Sequence, residues 1–235
     1  MLCKLCYTAG MQYYALVGDL KQSRQSSDRK ALQELLLGTM NSLNIRYTEH
    51  MAALLMVNSG DAFQGLFFLD APILEICDRI RYALSSQNGI RMGIGFGTIE
   101  TAIERKQSIL ADGPAFWNAR YALAQVQDHD YYNTRTLALR MGENCHEQLE
   151  TLVNQVLVLQ DQVASKWKNT QLELARHYLS SHGYERVSQT QVAKEMKLST
   201  QQVNTTVQAM GWFAFLDTRK ETERVLQTAL GGVDS

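Results

Sequence analysis

The sequence lacks any apolar run close to the roughly 20 residues that a membrane-spanning helix needs, so no membrane span is expected. It also lacks a charge imbalance: 23 Lys and Arg stand against 24 Asp and Glu, a net charge of −1 over 235 residues. No field of the whole molecule draws it to nucleic acid or to an anionic membrane, and any such binding must come from a local patch. Cysteine is sparse. Its four residues (Cys3, Cys6, Cys77 and Cys145) fit reduced thiols better than a disulfide framework. Cys3 and Cys6 form one C-x-x-C without a second ligand pair, which is a weak zinc signal. The opening MLCKLCYTAGMQ lacks the apolar core and cleavage site of a signal peptide; it reads as a loose extension, and a soluble cytoplasmic location is expected. The five histidines (His50, His129, His146, His177 and His182) show no metal-ligand spacing. No nucleophile motif appears, so serine- or cysteine-based hydrolysis has no support.

What is present is a core. Hydrophobic residues make up 45% of the chain and charged residues 20%, ordinary values for a globular protein. Tyr13 to Gly18 is a short apolar run ending at Asp19, a buried strand. After KQSRQSSD, Asp28 is placed to cap a helix in which Leu32, Leu35, Leu36, Met40 and Leu43 recur at helical spacing. Residues 52–57 and 62–69 read as the arms of a hairpin, and Pro72 opens a helix with Ile73, Ile76, Ile80 and Leu84 on one face. RMGIGFGTI (91–99) is a strand whose glycines at 93, 95 and 97 leave one face bare for another element or a ligand. Gly113-Pro114 opens a helix to 127, and a last strand is expected near 134–140. The order β-α-β-β-α-β, with an added helix and strand, predicts an α+β fold of the ferredoxin-like or palm arrangement.

That order gives meaning to the turn VNSGDAFQG (57–65). Asn, Ser, Gly and Asp suit a tight reversal, and Asp61 needs no further explanation on that ground. In palm topology, however, the first and third strands are antiparallel neighbours, which brings Asp61 to the sheet edge where Asp19 ends the first strand. Two carboxylates so placed repel unless a cation lies between them, and two oxygen ligands with substrate phosphates are a common way to hold Mg²⁺. Asp19 and Asp61 are therefore candidate metal ligands. Lys21, Ser23 and Arg24, in the following loop, are candidates for phosphate or nucleotide, or else solvated loop residues. Asp112 is placed as a third acidic candidate or as a plain helix cap.

The second half is helical. Residues 143–167 contain neither Pro nor Gly, and Leu149, Leu152, Val156, Leu159, Val163 and Trp167 form a seam at spacings of three and four. The seam packs on its own domain or forms a homodimer through 149–167. In VSQTQVAKEMKLSTQQVNTTVQAMGW (187–212), Val192, Ala193, Met196 and Leu198 make one apolar face, and Val203, Val207 and Met210 make the next, after a cap at Ser199. With the preceding helix at 170–181, this reads as a helix-turn-helix, a unit that also occurs as a packing module. Its presumed recognition helix, 199–211, has no Lys or Arg. Gln201, Gln202, Asn204 and Gln208, with Thr205, are the candidates for base edges. Phosphate contacts fall to Lys194, Lys197, Arg219, Lys220 and Arg224.

The blocks ALVGDLKQSR, NSGDAFQGLF, RMGIGFGTIET and DGPAFWNARYAL, in that order, resemble the SatD family of bacterial proteins over about residues 11–215. That family takes its name from an acid-tolerance locus, and the resemblance implies no molecular activity. More remotely, the first 140 residues are similar to the class III nucleotide cyclase domain. That likeness implies metal binding by Asp19 and Asp61 and aligns Arg91, Gly93, Ile94 and Gly97 with a cyclase strand. Val57 stands where cyclases carry a base-reading lysine. Asn118 and Arg120 lie two apart where cyclases carry an Asn and Arg four apart, leaving Arg120 as the candidate catalytic residue with Phe116 in the asparagine place.

These readings predict a cyclase-like palm domain over 11–142, a connecting helix over 143–168 and a helix-turn-helix domain over 169–235. The expected function is a cytoplasmic DNA-binding transcriptional regulator that senses a nucleotide or phosphorylated ligand with Mg²⁺. The alternatives are a Mg²⁺-dependent nucleotidyl transferase or cyclase, and a non-catalytic adaptor.

Overall fold

The computed structural model describes residues 10–21, 29–58, 60–84, 89–143 and 146–231. Cys3, Cys6, Ser23, Arg24, Asp28 and Cys145, all named above, lie outside the described residues. In chain order the first elements are β1 (Gln12–Leu20), α1 (Arg29–Arg46), β2 (Met51–Val57), β3 (Ala62–Phe67), α2 (Ile73–Leu84), β4 (Ile90–Thr98), α3 (Pro114–Asp128) and β5 (Leu137–Arg140). Five helices follow: α4 (Glu147–Ala164), α5 (Asn169–His182), α6 (Gln189–Met196), α7 (Thr200–Met210) and α8 (Trp212–Leu230). The class is α+β. The chain forms two compact units, one running to Ala71 and resuming over Gln87–Asp161, the other made of Pro72–Ser86 and Gln162–Ser235.

The first unit is built on a five-stranded mixed sheet in the order β2-β3-β1-β4-β5. β1 is antiparallel to both β3 and β4, β2 to β3, and only β4 and β5 run parallel. Central β1 reads as a nearly continuous apolar run because both of its faces are covered: Tyr14 to Val17 are buried without alternation. The bare face of β4 is filled by α3. A Cβ on Gly93 or Gly95 would overlap the backbone of α3 at Ala119 and Ala115. Ala115, Ala119 and Ala122, spaced four and three apart, answer the glycines with equally small side chains, so helix and strand approach to backbone contact. In α1, Leu32, Leu36, Met40 and Leu43 are buried, whereas Leu35, expected on the same stripe, is exposed.

The parallel edge strand β5 is covered by α4. Asn154 accepts the Leu139 N–H (2.9 Å) and donates to the Leu139 carbonyl (2.8 Å). Glu150 accepts the Met141 N–H (2.6 Å), and Asp161 accepts the Thr136 N–H (2.6 Å). Three polar residues on one face of a helix thus take the place of a sixth strand. This departs from the expected packing of the seam. Val153, Leu157 and Ala164 are buried, one residue round the helix from it, while Leu152, Leu159 and Val163 are exposed.

Among its described residues the second unit has helices and no strands. Trp167, after α4, stacks on Tyr82 of α2 (5.9 Å between centroids), meets Trp212 and Phe215 edge-on, and donates its indole N–H to the Met210 carbonyl (2.9 Å). α2 joins this unit through charge as well as packing. Glu223 of α8 accepts the N–H groups of Leu74 (2.9 Å) and Glu75 (3.1 Å), capping α2 from a distance. The buried Arg219 pairs with the buried Asp78 at 3.1 Å, and the Tyr184 hydroxyl donates to Asp78 at 2.6 Å. Arg219, counted above among cations free for phosphate, is thereby spoken for.

Candidate functional site

The acidic edge of the sheet forms as the strand order requires, with a difference in detail. β1 pairs with β3 so that Asp19 lies opposite Ala62. Asp61 sits one step beyond the strand, in the turn, its carbonyl accepting the Leu20 N–H at 3.3 Å. The two backbones are neighbours, but the two aspartates are not a cross-strand pair.

Asp19 already has a cation. Arg91 of β4, its partner on the other side of the ladder, donates through Nε to Oδ1 (2.8 Å) and through Nη2 to Oδ2 (2.9 Å). This is the two-pronged geometry that makes guanidinium–carboxylate pairs strong. Gln127, near the end of α3, reaches Oδ2 at 3.4 Å. Lys21 lies in the same neighbourhood: its backbone N–H bonds the Gly89 carbonyl (2.6 Å), and its ammonium donates to Asn133 Oδ1 (2.8 Å). Burial, reinforced by the charge of Arg91, holds Lys21 below the usual lysine range. Asn133 ends a run of three non-glycine residues, Tyr131 to Asn133, with φ of 48°, 61° and 68°. Each left-handed residue costs on the order of 1 kcal/mol, so the turn beside Lys21 is held against its own preference.

Arg120 is not brought to this edge. Its guanidinium pairs with Asp112 at 2.6 Å, ahead of the N-terminus of α3, whereas Asp19 is reached by Gln127 at the other end. Hydrogen bonds from Arg120 and Trp117 hold the Asp112 carboxyl below the usual carboxylate range. Asn118 donates to the Phe96 carbonyl (2.8 Å), a structural bond.

In the second unit, α6 ends at Lys197, which takes the left-handed conformation (φ 57°), and Ser199 starts α7. The Ser199 hydroxyl accepts the Gln202 N–H, and Gln202 Oε1 accepts the Ser199 N–H, a reciprocal capping box. Gln202 is thus partly consumed by the helix start. Gln208 donates to Asn204 (3.2 Å) one turn away. Val203, Val207 and Met210 are buried, while Gln201, Thr205 and Gln208 are exposed with Asn204 half-buried. Lys194 and Lys197 are exposed. Lys220 pairs with Glu185 (3.1 Å) and Arg224 with Glu221.

One cluster was not legible in the sequence. His177 Nε2 and His182 Nε2 lie 2.9 and 2.8 Å from the same oxygen of Glu195, Oε2. Among the described residues it is the group of three whose ligand atoms converge, all within 4.8 Å of one another. Five residues apart and then thirteen, they follow no local period; the signal lies in how α5 and α6 pack.

Compared with known families, residues 13–226 match the model of the SatD family. No curated protein matches the chain.

Proposed function

The chain belongs to the SatD family, and for it we propose a DNA-binding transcriptional regulator whose first unit senses a phosphorylated ligand. The observation that carries the reading is α7. Gln201, Asn204, Thr205 and Gln208 recur at helical spacing on the side opposite Val203, Val207 and Met210, and a capping box fixes the helix start. α6, the turn at 197–199 and α7 are read as a helix-turn-helix, with the amide-bearing face of α7 entering the major groove. Lys194 and Lys197 supply phosphate contacts next to it. The first unit, with strands in the order of a ferredoxin-like sheet and an added β5, is read as the sensor. Mg²⁺ at the Asp19–Asp61 edge has to displace Arg91 from Asp19; a phosphate arriving with the ion gives Arg91 a new anionic partner. The turn of Arg120 toward Asp112 favours sensing over phosphoryl transfer, because the guanidinium expected to stabilise phosphoryl charge is engaged away from that edge.

Gel shift against fragmented genomic DNA tests this at low and raised salt. With few cations on the face, binding is expected to be modest and its salt dependence shallow, about 0.9 logarithmic units per phosphate contact. Lys194→Ala and Lys197→Ala should each lower the salt slope by about 1. Gln201→Ala should relax sequence preference at an equivalent cost of about 1–3 kcal/mol. No retardation at micromolar protein, with or without Mg²⁺ and nucleotides, overturns the reading.

A further inference from the structure

We propose that His177, His182 and Glu195 form a binding site for a divalent transition-metal ion of the zinc class, fastening α6 to the end of α5. Three donors from two helices converge on one point: the Nε2 atoms of both imidazoles and Oε2 of the carboxylate, with pairwise distances to Oε2 of 2.9 and 2.8 Å. Tetrahedral ligands about 2.0–2.1 Å from zinc lie roughly 3.3 Å from each other, so an ion requires each imidazole to part from Oε2 by about half an ångström. Side chains on a helix end and a neighbouring short helix supply that by small rotations.

The supporting shell is in place. Gln191, one turn earlier on α6, donates to the other oxygen of Glu195 at 3.0 Å, leaving Oε2 to point at the imidazoles. Both imidazole nitrogens and the Gln191 amide crowd the two oxygens of Glu195, so the carboxyl group is held in place before any ion arrives. Tyr178 packs edge-on against His182 (5.5 Å) and fixes that ring. The same tyrosine accepts the Val187 N–H (3.1 Å) and donates to the Glu185 carbonyl (2.9 Å), anchoring the loop between the two histidine-bearing turns and α6. Such outer partners are what orient first-row metal ligands.

The ligand set decides the ion class. Two imidazoles and one carboxylate are too nitrogen-rich for Mg²⁺ or Ca²⁺, which take oxygen, and suit zinc or its first-row neighbours. The histidine side chains retain 27% and 13% of their exposure and Glu195 29%, which gives an ion an entry path and leaves a fourth position for water. An ion held by both Nε2 atoms requires each imidazole to carry its proton on Nδ1, with any proton on Nε2 passing to solvent.

The test uses the full chain freed of metal, carrying Cys3→Ser and Cys6→Ser so that the C-x-x-C pair cannot contribute. Titration with Co²⁺ should give a visible ligand-field band saturating at one ion per chain, displaced by Zn²⁺. At hundred-fold excess over Kd, Zn²⁺ should raise the Tm by about 5 °C or more. Glu195→Gln and His182→Gln, each checked for unchanged helical circular dichroism, should abolish both signals; if His182→Gln does not fold, His177→Gln takes its place. The absence of a band, a band that persists in Glu195→Gln, or one present only with Cys3 and Cys6 intact overturns the site. No DNA enters these measurements, so the metal site and the regulator reading fail separately.

Discussion

Glu223 is a buried carboxyl group with 6% of its surface exposed. Burial pushes it up to about 8, against the pull of the two backbone N–H groups it caps on α2. The sign of the consequence is set by that direction. Between an ordinary carboxyl value near 4.5 and 8, the folded chain keeps a proton that the unfolded chain has lost, so stability from this group is complete below the lower value and declines as pH rises through the upper one. Thermal melts should therefore show the wild type less stable at pH 8.5 than at pH 6. Glu223→Gln, which has the shape but not the titration, should flatten that difference. An identical pH profile in the variant would show that the buried carboxyl does not hold its proton. The same residue shows where sequence reading stops. A glutamate in a charged stretch, KETER, looks solvated; its partners Leu74 and Glu75 lie 149 and 148 residues earlier.

At the scale of elements, α4 does for β5 what another strand would do. Asn154→Ala removes both partners of the buried Leu139 backbone and leaves an N–H and a C=O without them, a cost of about 1–3 kcal/mol. Urea unfolding should record it as a lower midpoint with unchanged slope, and Asn154→Asp, which keeps the acceptor and loses the donor, should fall between. Equal stability of Asn154→Ala and wild type would mean water replaces the amide. The strands and helices themselves were legible because period and punctuation are local: Gly113-Pro114, the Ser199 cap and the Gly93-x-Gly95 face each state their role within a turn. The identity of α4's buried face was not. A seam of Leu149, Leu152, Val156, Leu159 and Val163 is the stronger apolar signal, yet polar Glu150, Asn154 and Asp161 turn inward because an unpaired strand edge demands hydrogen bonds more than the helix demands burial of leucine. Asp19 could likewise be read as functional from its place at a strand end, whereas Arg91 as its partner followed only from the ladder register.

For the whole molecule, the decisive fact is that neither compact unit is one continuous stretch. α2 leaves the first unit's chain between Ala71 and Gln87 and supplies the second unit with Asp78, Tyr82 and the helix start that Glu223 caps. Residues 162–235 expressed alone should lack a cooperative thermal transition, since Arg219 and Glu223 would remain in an apolar interior with their partners gone. Joining 72–86 to that fragment through a flexible linker should restore the transition. A sharp melt of 162–235 by itself would show that α2 is dispensable.

The excursion of α2 also imposes a schedule on synthesis. Leu74 leaves the ribosome 149 residues before Glu223, which at about 5–20 residues per second is a wait of roughly 7–30 s. Until α5 follows, Ile76, Cys77 and Ile80, fully buried in the finished protein, have no helix of their own unit to cover them. The nascent chain thus carries a sticky segment that α5 begins to cover and that is capped only when Glu223 of α8 arrives.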